Sequence, residues 1–295
     1  MDETKQISKI ILNASKVPLL FGAIISYFIG GGFVSYIGKN VDWFIFWLGL
    51  GIILMFFLSS QYLSLIFDRN PQFQSIEPKF RLKFKNTFLL LGFTTLSVGA
   101  ISTIFLFYLI EDTIVIWFFL AILFVLNVIL VIPPFNLRNR GFGDLINAFN
   151  LAVLTPAFAQ SLQLPELHRS LIMITFPGFF LLLSLFLSFS LEKYGSDLQN
   201  SRLTLMTVIG WKTGMNFHNL FLLLTYFSYG VVALFSLSFN LMIPALAAFP
   251  FSILQFWEMI RIGNGEKPRW KFLYLSAGAS IGIFVYFLLF NLWFR

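Results

Sequence analysis

Three short stretches of this sequence mix carboxylates with cations. The first is Asp68-Arg69-Asn70-Pro71-Gln72, preceded one and two helical turns earlier by Ser64 and Gln61. The second, from Asn136 to Asp144, contributes Arg138 and Arg140, with Asn147 and Asn150 following at i,i+3 spacing. The third runs Glu192-Lys193-Tyr194-Gly195-Ser196-Asp197 and on through Arg202 and Thr204 to Gly210. Carboxylate oxygens suit hard cations such as Mg²⁺, and Lys and Arg suit phosphate oxygens. At i,i+4, Lys193 and Asp197 could equally form an interfacial ion pair. Other chemistries lack their residues. There is no cysteine, which removes thiolate nucleophiles and thiolate metal sites. The two histidines, His168 and His218, stand far apart, and Gly30-Gly31-Gly32 has no phosphate-loop lysine after it. That triplet reads as close helix packing, and Glu258 with Arg261 at i,i+3 as an ordinary ion pair.

The elements that must carry these stretches are membrane helices. Hydrophobic residues make up 58% of the 295, charged residues 11%, and mean hydropathy is +0.84. A hydrocarbon core of about 30 Å needs roughly 20 apolar residues per helix. Such segments occur near 17–37, 43–67, 87–110, 113–133, 144–163, 170–191, 213–236, 239–257 and 272–294. The fold expected is all-α, a polytopic membrane protein of nine spans forming one integral domain over 1–295, with a weak pseudo-repeat of spans two to four against six to eight. A transmembrane barrel is excluded, because no alternating segments of about ten residues appear. The first segment lacks a cleavage site and reads as a retained span. Seventeen of the twenty Lys and Arg fall before the first span or after the even ones; only Lys39, Arg169 and Arg295 fall on the other side. The positive-inside rule then puts the N-terminus and all three polar stretches in the cytoplasm, and the net charge of +7 reflects that bias and anionic lipid rather than nucleic acid. Most of the forty Phe read as lipid-facing filler.

In order and on one side, these stretches resemble the UbiA-type intramembrane prenyltransferases, and most of all the branch that prenylates quinone precursors in menaquinone synthesis. Asp197, Arg202-Leu203-Thr204-Leu205 and Gly210 are similar to that family's second acidic motif. Arg140-Gly141-Phe142-Gly143-Asp144 is similar to the element opening its fifth helix, and Lys16-Val17-Pro18 to the basic-Pro pair before its first. Gln255 to Glu258 and Pro268 to Trp270 resemble its last loop. The resemblance implies a UbiA-like bundle transferring a prenyl group from a prenyl diphosphate to an aromatic or other lipophilic acceptor, in a bacterial inner membrane with the site facing the cytoplasm. It assigns Asp68 and Asp197 to Mg²⁺ and catalysis. Arg69, Arg138, Arg140 and Arg202 go to the diphosphate. Read from the residues themselves, Gln61, Ser64, Asn147, Asn150 and Tyr194 fit an acceptor or cavity lining, with packing or interhelical hydrogen bonding as the plainer role for the amides.

The sequence departs from the family pattern at its acidic motifs. In the first, Ser64 stands for Asn, Leu65 and Gln72 for the outer aspartates, and only Asp68 remains. In the second, Lys193 occupies the place of the earlier aspartate, with Glu192 displaced by one residue, about 100° around a helix. On one reading Lys193 is a catalytic residue that supplies the charge a metal would bring, so that the Mg²⁺ requirement falls or vanishes. On another, catalysis has been lost or repurposed toward binding an isoprenoid or quinone lipid. A small-solute or lipid transporter is a third alternative, disfavoured by the lack of charges at mid-span. Acceptor, tail length and oligomeric state are not legible.

Overall fold

The computed structural model describes residues 17–67, 78–110, 114–234 and 239–294. Asp68, Arg69 and Lys16 lie outside them. Among the described residues the chain is helical throughout, without strands: α1 Val17–Tyr36, α2 Trp43–Phe67, α3 Pro78–Leu109, α4 Ile114–Val131, a 3₁₀ turn Leu137–Arg140, α5 Gly143–Phe149, a π turn Asn150–Leu154, α6 Thr155–Ser161, α7 Arg169–Gln199, α8 Leu205–Ile209, α9 Trp211–Leu234, α10 Phe239–Gly263 and α11 Trp270–Trp293. Eight of these helices are long and apolar enough to cross a membrane. The remaining expected span, 144–163, is assembled from α5, the π turn and α6 instead of one uninterrupted helix.

The apolar windows match the helices where hydrocarbon sets the limit and fall short where it does not. Helix α3 begins at Pro78, and α7 continues to Gln199. At 32 residues α3 is about 48 Å long, well beyond a hydrocarbon core of about 30 Å. A helix leaving the bilayer keeps satisfying its backbone, so charge does not end it. Part of the expected 192–212 loop is therefore helix, and Glu192, Lys193 and Asp197 sit on rigid α7. The fifth span breaks for a different reason. Pro156 has no N–H for the carbonyl of Ala152, and its ring would clash there in a regular helix. The chain widens instead, and Thr155 N–H donates to the carbonyl of Asn150, five residues back.

Helix α1 packs on α6, α11 and α2, which the glycine triplet permits. A Cβ at Gly30 would run into the carbonyl of Pro156 and the side chain of Ala159, one at Gly31 into Phe46, and one at Gly32 into Trp293. The main apolar cluster joins Tyr27, Phe46, Ile53 and Phe57 to Leu151, Leu154 and Phe158. Away from the polar stretches the bundle is tied by Trp293, whose Nε1 donates to the Phe28 carbonyl at 3.0 Å while its ring stacks on Trp43 at 5.7 Å. Asp42 and Gln163 exchange two hydrogen bonds at 2.7 and 3.3 Å. The phenylalanines divide between this core, where Phe33, Phe46, Phe57 and Phe158 are buried, and outward faces carrying Phe21, Phe93, Phe118 and Phe227. Such outward apolar faces, together with the eight long helices, are those of an integral membrane protein. A Gly30→Leu variant forces overpacking of about 1–3 kcal/mol. Its unfolding midpoint in detergent should drop relative to Gly51→Leu, where a Cβ meets nothing within 4 Å.

Candidate functional site

Asp197 is held by the way α7 ends. Ser201 adopts a left-handed conformation, φ 52°. The N–H of Arg202 donates to the Asp197 carbonyl at 2.8 Å, and that of Ser201 to Leu198 at 3.1 Å. This is the Schellman closure, in which the second residue past the cap folds back over the third from the end. A hydrophobic contact usually joins those two positions. Here it is an ion pair, Arg202 Nη1 to Asp197 Oδ1 at 3.8 Å. The Asp197 side chain is nearly buried, whereas that of Arg202 is 45% exposed. Lys193, one turn back on α7, is exposed and forms no ion pair among the described residues. The ion-pair contact to Asp197 comes from Arg202, while Lys193, the alternative partner, acts on it from farther off. Glu192 points elsewhere and accepts a hydrogen bond from the Tyr274 hydroxyl on α11, as its one-residue displacement predicts.

The turn that carries Arg138 and Arg140 meets the segment after α7 through Gly141. Asn136 takes a left-handed conformation, φ 35°, and its side-chain amide donates to the Phe67 carbonyl at 3.0 Å, joined by that of Asn139 at 2.9 Å. The last carbonyl of α2, the residue before Asp68, is thereby clamped to the arginine turn. On the opposite flank Gly141 lies against Val208 and the Thr204 carbonyl, with φ 90° and no room for a side chain. Thr204 and Thr207 form a capping box that starts α8. Hence the 136–143 turn bridges the end of α2 to the 197–210 segment. Arg138 is buried, its Cγ close over Gly143. Arg140 is exposed and donates to the Pro134 carbonyl at 3.2 Å.

Other assigned residues separate. Gln61 and Ser64 are buried on α2; Ser64 donates to the Gln61 carbonyl at 2.8 Å, while Gln61 Oε1 has no partner among the described residues. Asn147 and Asn150 are buried on the fifth span. Tyr194 packs beside the apolar cluster of Leu191, Met206, Met215 and Met259. The reading of Glu258 as an ordinary pair with Arg261 is incomplete. Fully buried, it accepts from Arg261 at 2.8 Å and from Arg269 Nη2 at 2.6 Å, Nε at 3.0 Å and backbone N–H at 3.0 Å. The Arg269 guanidinium also lies 4.8 Å above the Trp257 ring, so this network pins the turn between α10 and α11. The clamping role of Asn136 and Asn139 escaped the sequence reading too, although Asn at i,i+3 beside Pro133-Pro134 is a turn signal.

The described part of the donor set does not by itself make a divalent-metal site, and Asp68 lies outside it. Among the described residues no three of His, Cys, Asp and Glu converge, and the one carboxylate at the α7 terminus faces Arg202 and is followed around the helix by Lys193. One paired carboxylate among cations suits an anion better than Mg²⁺.

No family profile matches the sequence, and no curated protein matches it. Solved structures do match by fold. A digeranylgeranylglyceryl phosphate synthase superposes with TM-score 0.63 at 13% identity, over 98% of this chain and 99% of that one. A UbiA homologue from Archaeoglobus fulgidus, bound to GPP and Mg²⁺, gives 0.59 at 14% identity over 94% and 99%. Its form bound to DMAPP and Mg²⁺ gives 0.57 at 14% over 97% and 99%. The chain shares the fold of these structures.

The α7 closure is testable by substitution. Ser201 pays the left-handed cost that glycine avoids, so Ser201→Gly should stabilise by about 0.5–1 kcal/mol and Ser201→Val should destabilise, read as opposite shifts in unfolding midpoint. Removing both amides of the clamp leaves the Phe67 carbonyl without its donors. Asn136→Ala/Asn139→Ala should cost about 1–3 kcal/mol, more than either single change.

Proposed function

We propose that this protein is an intramembrane prenyltransferase that moves the prenyl group of a prenyl diphosphate onto a lipophilic, most simply aromatic, acceptor. The observation that carries the reading is the α7 terminus. On a fold whose relatives are bound to GPP and DMAPP, Asp197 pairs with Arg202 at that terminus, one turn from Lys193, and the turn that carries Arg138 and Arg140 touches the following segment through Gly141, which supports a diphosphate site there. The Arg140 to Asp144 element supports a quinone-type acceptor, and the cation count supports a site facing the cytoplasm of a bacterial inner membrane.

The chemistry needs charge more than it needs a particular base. The allylic C–O bond breaks as its electron pair leaves with the diphosphate, and the cost falls when positive groups already wait at the departing oxygens. Lys193 and Arg202, with Arg138 and Arg140, supply such groups, and Arg69 follows Asp68 in sequence. Asp197 orients Arg202 through the cap. The acceptor's electron pair then forms the new bond to the allylic carbon, and the acceptor loses a proton to water or to the released diphosphate. Mg²⁺ held by Asp68 and Asp197 is needed less than in a carboxylate-rich site, or not at all, because Lys193 brings its charge permanently. The thinned acidic motifs favour a second reading, a protein that binds the donor lipid without reacting.

One incubation separates the two. Purified protein with radiolabelled geranyl diphosphate and a membrane lipid extract should release diphosphate and form a prenylated product, with activity surviving EDTA. Donor binding without release would leave only the lipid-binding reading. Lys193→Asp should weaken metal-free donor binding by about tenfold or more and recover with added Mg²⁺. If wild type depends on Mg²⁺ as strongly as this variant, the lysine is not standing in for a metal.

A further inference from the structure

The fifth span carries polar groups that the protein itself leaves unsatisfied. Asn150 is wholly buried, yet neither its Oδ1 nor its Nδ2 has a hydrogen-bond partner among the described residues, and the same holds for the hydroxyl of wholly buried Thr155. Threonines elsewhere in these helices solve the problem locally: Thr87, Thr95, Thr103 and Thr225 each donate to the carbonyl four residues back. Thr155 does not. Burying such groups unpaired is costly, and interior polar atoms left open in this way mark a site for something else.

The π turn sets the two groups together. In a regular α-helix residues five apart point about 140° away from each other. Here Thr155 N–H bonds to the Asn150 carbonyl, so the two residues stand one widened turn apart and their side chains fall on nearly the same side. Single π turns recur at functional sites for such reasons. The groups combined are an amide, which accepts and donates, and a hydroxyl, which does both. Around them pack α1, α4 and α7, and neither α1, α4 nor the 170–191 part of α7 contains a Lys or Arg. A carboxylate placed there would have no counterion. An aromatic hydroxyl, which donates and accepts at one uncharged oxygen, matches both groups.

We propose that Asn150 and Thr155 receive the hydroxyl of an uncharged aromatic acceptor and discriminate against acceptors bearing a carboxylate on the same ring. This rests on the prenyl-transfer reading and extends it to the class of acceptor. The niche is closed over by its neighbours in this structure, so entry requires the spans around it to part.

The test uses the purified full-length chain in detergent, with 2-naphthol and 2-naphthoate as matched probes and geranyl diphosphate as a separate arm. Wild type should bind 2-naphthol at least about tenfold more tightly than 2-naphthoate. Asn150→Leu should weaken 2-naphthol by about tenfold or more while raising the unfolding midpoint by about 2–4 °C, since an unpaired amide is removed. Thr155→Val, nearly isosteric, should weaken it severalfold and serves if the leucine variant does not fold. Equal binding of the two probes overturns the proposal. So does absence of 2-naphthol binding by wild type, undiminished binding in Asn150→Leu, which would mean the amide serves only a buried water, or a lowered midpoint in that variant. Binding of 2-naphthol without binding of geranyl diphosphate would uphold the niche and defeat the donor reading instead.

Discussion

A helix ends by leaving its last carbonyls without partners, and near hydrocarbon those carbonyls cannot rely on water. Much of the polar end of this bundle follows from where the missing donors come from. The end of α2 takes them from Asn136 and Asn139, which draws the arginine turn onto the residue before Asp68. The end of α7 takes them from its own onward chain, through the N–H groups of Ser201 and Arg202. Two solutions to one backbone problem thus fix the two segments, which touch through Gly141 and the Thr204 carbonyl. The ion pair at 3.8 Å is a by-product of cap geometry as much as of attraction.

The charges at this end differ in how far they are committed. Glu258 is consumed by structure, saturated by Arg261 and Arg269, whose guanidiniums lie over the Trp257 ring. Because the anion is fully buried, its value depends on keeping both partners. Arg140 is lightly held by one carbonyl, and Arg202 shares its charge with Asp197 while remaining half in solvent. Lys193 is exposed and acts on Asp197 only through its field, without an ion-pair contact among the described residues. A gradient from committed to free positive charge is what an anion site needs, with the fixed members setting geometry and the free member answering the ligand.

How far the sequence could be read depended on which force governed each element. Hydrocarbon thickness governs span position, and α2 and α4 lie where the apolar windows put them. It does not govern helix length, so α3 and α7 overrun those windows on soluble turns. Pro156 was visible throughout, but its effect on the 144–163 segment is a choice between kink and widened turn that one sequence does not settle. Asp197, Arg202 and the 140–144 element stood out in the sequence by resemblance alone, and the Schellman closure that holds the first two depends on the left-handed Ser201, which that resemblance does not announce. The Asn clamp was not legible, because it joins residues about 70 positions apart, and neither was the Glu258 network beyond its i,i+3 member.

Helix α1 packs chiefly on α6, α11 and α2, and its glycine face is shaped by Pro156, Ala159 and Trp293. Of these partners only α2 follows it closely along the chain. A span made early therefore has to wait beside the ribosome, with its smoothest face uncovered, until residues near 156 and then near 293 arrive. The contact between α1 and α11 thus forms only after the spans between them have been made. Lesions in α11 should then resemble lesions in α1, although residues 37–269 separate the two helices.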